Sequence, residues 1–161
     1  MQDRASRVVH ALLAGLIVVA LGSGAKAQAP KGLAGTWKLN AAKSRFSPGP
    51  APKSMTVIYT PAGDGVKIVV DMTPADGPAQ HWEMSGNYDG KDNPVTGNPN
   101  ADTASFKLVN DRTGESTFKK DGKVTATNRR VLSANGKTLT ITSKGTTADG
   151  KPRNDVQVFE K

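Results

Sequence analysis

His81 and Glu83 are the two side chains best spaced for chemistry in this sequence. On an extended strand, residues two apart project from one face, and an imidazole beside a carboxylate can relay a proton or ligate a metal. Two protein ligands leave a zinc site incomplete, since such sites take three or four from the protein. The chain contains no cysteine, and its one other histidine is His10, near the start. A nucleophile setting of the Gly-x-Ser-x-Gly kind is also missing. Units of Asp-Gly-Lys or Asn-Gly-Lys occur at 89–91, 121–123, 135–137 and 149–151. A calcium loop needs alternating acidic residues and a closing Glu, which these units lack. The sequence therefore predicts no catalytic residue, no metal site and no cofactor, with His81 and Glu83 as a solvent-facing polar pair.

A different set of residues suits binding. Trp37, Tyr59, Trp82, Met84 and Phe106 each sit among apolar residues that recur at every second position, with polar neighbours between them. Period-two alternation gives a sheet with one dry and one wet face. The predicted inner positions are Val57 and Tyr59; Val66, Ile68 and Val70; Trp82 and Met84; Phe106 and Leu108; Phe118; and Leu139 and Ile141.

The elements that must position these side chains are short strands, predicted at 35–40, 54–60, 66–72, 80–85, 101–109, 115–120, 123–133, 137–143 and 154–160. Short gaps favour antiparallel neighbours, and Asp-Gly or Asn-Gly at a tight turn suits the positive φ required there. A sheet with one dry face must close on itself or pair with another, and closure removes exposed edges. The expected fold is all-β: a single up-and-down antiparallel barrel of eight to ten strands. Residues 41–53 carry Pro48, Pro50 and Pro52 and read as an extended loop, with space for one helical turn over 41–46. Residues 86–100 read as a second loop crossing a barrel mouth.

The first 27 residues are set apart as a secretory signal peptide, with Arg4 and Arg7 followed by an apolar run from Ala11 to Leu21. Eleven residues are too few for a bilayer-spanning helix, which takes roughly 20. Cleavage sites of small-x-small type occur at 25–27 and 27–29, leaving 28–161 as one domain. Without cysteine there is no residue to carry a lipoprotein anchor. The expectation is a periplasmic or secreted protein without stable membrane insertion. The chain's net charge is +8, and 28–161 retain 19 basic and 13 acidic residues, or +6. The lysines are dispersed and do not interleave with aromatics, so no nucleic-acid partner is expected.

Gly35-Thr36-Trp37, opening the first strand, resembles the G-x-W motif of lipocalins and fatty-acid-binding proteins, the calycin barrels. Val156-Gln157-Val158-Phe159-Glu160-Lys161 resembles the closing strand of fatty-acid-binding proteins, which commonly ends Tyr-Glu-Lys. The run Gly-Thr-Trp-Lys-Leu-Asn is also similar to the opening of small secreted bacterial lipocalin-like proteins. The resemblance implies that Trp37 plugs one barrel end and that a basic side chain from a late strand lies over its ring. Arg129 and Arg130 are the candidates. Arg130 shares parity with Val124, Ala126 and Leu132 and is the choice for the inward one. Where the family holds a carboxylate with Arg-x-Tyr, this chain has Gln157 and Phe159, and the prolines of 41–53 exclude a two-helix lid. The ionic clamp for a fatty acid is therefore missing at its usual place.

Together these readings predict a carrier or scavenger of a small apolar or amphipathic molecule. Its lining would be Trp37, Tyr59, Trp82, Met84, Phe106, Arg130, Gln157 and Phe159. The alternative is an envelope interaction module, an inhibitor or assembly factor, that has a filled barrel and works through the loops at 41–53 and 86–100.

Overall fold

The period-two pattern resolves into ten strands in the computed structural model, which describes residues 28–147 and 149–161. They are β1 (Gly35–Leu39), β2 (Ser54–Ala62), β3 (Gly65–Thr73), β4 (Gln80–Asn87), β5 (Asn93–Thr96), β6 (Thr103–Asn110), β7 (Thr113–Lys120), β8 (Lys123–Leu132), β9 (Thr138–Thr146) and β10 (Pro152–Glu160). Each pairs antiparallel with its neighbour in sequence, and β1 pairs with β10 at Lys38↔Glu160 and Leu39↔Phe159. The sheet is thus a closed up-and-down barrel compatible with a calycin-like barrel. Closure leaves no long unpaired edge, which an all-β chain would otherwise expose to aggregation.

The predicted inner positions face inward. Val57, Tyr59, Val66, Ile68, Val70, Met84, Phe106, Leu139 and Ile141 are buried, and Trp82, Leu108 and Phe118 pack against them half-buried. The region assigned as a loop over 86–100 differs, because β5 pairs with β4 at Met84↔Val95 and with β6 at Asn93↔Ala104. Only Val95 gives this strand an inward apolar residue, and Pro94 removes a backbone donor, so its pattern is too short to read. One side of the sheet is consequently wall where a free loop was expected.

The Gly-Lys turns also divide. Asp121 and Gly122 both have positive φ, at 50° and 73°, and form the two-residue turn between β7 and β8. At 135–136 and 149–150 only the glycine has positive φ and the connections are longer, while 89–91 lie between β4 and β5 and make no hairpin. A register shift between Phe118 and Lys119 lets Ala126 and Val124 pair with consecutive residues. It turns Val124 outward at 58 % exposure, correcting the parity that grouped it with Arg130.

After β1 a single 3-10 turn, Ala41–Lys43, is capped by Asn40, whose side chain accepts from the Lys43 amide. The chain then runs as an extended strap along β10. Arg45 bridges Val156 through reciprocal backbone hydrogen bonds, and the Asn154 amide donates to the Ser47 carbonyl. Among the described residues no helix is long and apolar enough to cross a membrane. The predicted signal peptide, 1–27, lies outside the described residues.

Candidate functional site

The two ends of the barrel are built differently. At the end made by the β2–β3 and β8–β9 turns, Leu33, Trp37, Val66, Leu132, Leu139 and Phe159 are each 3 % exposed or less. Trp37 Nε1 donates to the Leu33 carbonyl at 2.8 Å, which satisfies the one polar atom of the indole. The cation over its ring is Lys161, whose Nζ lies 4.7 Å from the centroid and donates to the Gly32 carbonyl. The expectation that Arg129 or Arg130 would take this place is wrong, because the C-terminal lysine reaches the ring first.

Above this plug lies a cavity of about 320 Å³, near the lower bound for small-molecule sites. Tyr59, Tyr88, Arg130 and Gln157 line its deep part, and Phe46, Pro48, Pro50, Pro52 and Pro74 its mouth. Of the residues chosen from sequence, Tyr59, Trp82, Met84, Phe106, Arg130 and Gln157 border this space. Trp37 and Phe159 do not, because they are consumed in the plug.

The cavity has two unlike walls. Val57, Ile68, Val70, Trp82, Met84 and Phe106, from β2, β3, β4 and β6, are apolar. Facing them, β7 to β10 present Ser116, Asn128, Arg130, Ser143, Asp155 and Gln157, with Phe118, Ala126 and Ile141 among them. In the strand order β3 and β8 stand five places apart in a ring of ten, so these walls are opposite one another.

Arg130 is the inward member of the arginine pair, while Arg129 lies on the outer face against Glu115. The Arg130 residue is 8 % exposed, and its Nε and Nη2 are buried without a hydrogen-bond partner. Its guanidinium carbon lies 5.3 Å from the Tyr59 ring centroid and 6.0 Å from that of Tyr88. Gly114 is its cross-strand partner, and a Cβ there would meet Nη2 at 2.5 Å. The absent side chain of Gly114 is what makes space for the guanidinium. Burial pushes the Tyr59 phenol above its ordinary pKa, against the opposing pull of Arg130, so Tyr59 is a neutral hydroxyl at physiological pH. Tyr88 Oη and Asn128 Oδ1 are likewise buried and unpartnered.

Nearer the mouth, Asp155 is 5 % exposed and accepts from the Ser47 amide at 3.0 Å. Arg153 Nε lies 3.3 Å from Asp155 Oδ2, an ion-pair distance without hydrogen-bond alignment, while its Nη2 donates to Ser143 Oγ at 2.9 Å. The buried carboxylate therefore fastens the strap and is itself compensated.

His81 and Glu83 are on the outer face and go to separate partners. His81 Nδ1 is 2.7 Å from Asp71, and Glu83 is 2.8 Å from Lys67, which holds its carboxyl below the usual range. Among the described residues no group of three or more His, Cys, Asp or Glu is placed to hold a metal.

Tyr88, Asn128, Ser143 and Asp155 were not selected from the sequence. Asn128 shares parity with Arg130, Ser143 with Ile141 and Asp155 with Gln157, so an account of polar as well as apolar inward positions finds three of the four. Tyr88 follows the end of β4 and carries no strand signal. Compared with known proteins, the chain matches no family model, no curated protein and no solved structure.

Proposed function

We propose that this protein is an exported, lipocalin-like carrier or scavenger that holds a small amphipathic molecule inside the barrel, in the periplasm or outside the cell. The observation carrying this reading is the pairing of an apolar wall with a buried Arg130 whose Nε and Nη2 lack hydrogen-bond partners, in one cavity. A buried cation with unmet donors is costly, and the Tyr59 and Tyr88 rings offset only part of that cost. An anionic ligand offsets that cost, because guanidinium forms charge-assisted, bidentate hydrogen bonds to carboxylate. Its apolar remainder lies against Trp82, Met84 and Phe106, and Arg130 takes the place of the missing Arg-x-Tyr pair of the last strand.

Calorimetric titration of decanoate and 1-decanol into wild type and Arg130→Leu tests this. Decanoate is expected to lose about 1.5 to 3 kcal/mol in the variant, the usual worth of a hydrogen bond to a charged group, with 1-decanol little changed. Equal losses for both would make Arg130 a support of the fold. Failure of wild type to bind either probe would end the carrier reading.

A further inference from the structure

A cavity for a plain alkyl acid needs one charged spot and apolar surface elsewhere. This cavity carries a band of polar groups across one flank, between the apolar Phe118, Ala126 and Ile141 of the same strands. Ser116, Asn128, Ser143 and Asp155 are consecutive cross-strand partners, forming one rung over β7, β8, β9 and β10. All four border the cavity, opposite the wall carrying Val70 and Trp82. An apolar chain laid against this rung would cover polar groups without giving them hydrogen bonds, which is unfavourable for each group left unsatisfied.

Not all of the rung is available to a ligand. Ser143 Oγ already accepts from Arg153, and Asp155 accepts from Ser47 and lies beside Arg153. Asn128 Oδ1 has no partner and is buried. A carbonyl oxygen can only accept, so the complementary group is a donor, such as a hydroxyl. Asn128 is two residues from Arg130 on the same face of β8, about 7 Å along the strand at the usual rise. Deeper still, Tyr88 Oη is a second unpartnered oxygen, a hydroxyl on a ring whose centroid lies 6.0 Å from the guanidinium carbon. Two features of one ligand follow: an acid end seated deep, and a donor on the flank that faces β8.

We infer that the cavity selects a hydroxylated carboxylic acid that is amphipathic along its length, with its acid at Arg130 and Tyr88, its hydroxyl donating to Asn128, and its apolar flank against Val70, Trp82 and Phe106. This rests on the carrier reading above and adds the chemical class of the cargo. Among apolar acids the hydroxyl is the discriminating group, since a site built to pair a hydroxyl penalises the analogue lacking it.

The test uses decanoate, 1-decanol and a set of monohydroxydecanoates substituted at successive carbons from 3 to 8, titrated into wild type and Asn128→Leu. At least one hydroxydecanoate is expected to bind wild type about five- to tenfold more tightly than decanoate, as one added hydrogen bond allows. In Asn128→Leu the same compound is expected to lose that advantage. If no hydroxydecanoate exceeds decanoate in wild type, or if the advantage survives in Asn128→Leu, the flank assignment is overturned while bound decanoate upholds the carrier reading. If wild type binds none of the probes, both readings fall. The wild-type comparison stands without the variant, so a poorly folding Asn128→Leu would not shield the inference.

Discussion

Arg130 and Trp37 are both large, both inward and both approached by aromatic or cationic groups, yet they have opposite relations to stability. Every polar need of Trp37 is met, and the ring is fully buried under Lys161. Trp37→Ala is expected to cost about 3 to 5 kcal/mol, read from the denaturant midpoint at unchanged slope. Arg130 is buried with two unmet donors, so Arg130→Leu is expected to raise the midpoint of the apo protein while weakening anion binding. Gly114→Ala separates guanidinium position from guanidinium charge. The added methyl would stand 2.5 Å from Nη2, so the variant keeps the cation but displaces it. It is expected to weaken decanoate with little effect on 1-decanol, and equal losses for the two would mean that the strand itself had moved.

At the level of elements, legibility followed the strength of the alternation. β3 carries Val66, Ile68 and Val70 at every second position, with Val69 the one apolar residue between them, and β9 carries Leu139 and Ile141 between threonines, so both could be read with their inward faces. β5 could not, because four residues including a proline hold too little pattern against the turn residues around them. Arg130 was readable from parity alone, although Val124, one of the residues supporting that parity, proved to lie beyond a bulge. Ser116, Asn128, Ser143 and Asp155 of the polar wall went unread because inward serine, asparagine and aspartate give the same local signal as solvent-facing ones. The strap was legible as extended chain from its prolines, but its attachment was not, since Ser47 and Asp155 are 108 residues apart. Asp155→Ala removes that attachment and leaves Arg153 without its carboxylate. Limited proteolysis is expected to cut within 44–53 faster in this variant than in wild type, and equal rates would show that the β10 backbone contacts alone hold the strap.

At the scale of the whole molecule, exposed ion pairs contribute to the response to acid. Hydrogen bonds from Lys67, Lys43 and Lys151 hold the carboxyls of Glu83, Glu160 and Asp149 below their usual range. For a carboxylate with a lowered folded pKa, the unfolded chain takes up protons first as pH falls, so stability is present at neutral pH and lost on acidification. The urea midpoint is expected to stay level above about pH 6 and to decline below about pH 5, where carboxylates titrate. Because these pairs are exposed, the decline should be shallow and should flatten further in 1 M salt.

The two tryptophans of the chain stand on either side of one boundary: Trp82 borders the cavity half-buried, and Trp37 lies sealed within the plug. Their emission should therefore divide into two independent signals. Iodide in solution should quench Trp82 selectively, and cargo seated against that indole should shield it and shift its emission to shorter wavelength. Trp37 should contribute a constant, already blue, unquenchable fraction. With Trp37 as its internal standard, the protein carries its own optical gauge of occupancy, and Trp82→Phe should silence the response while leaving the background in place.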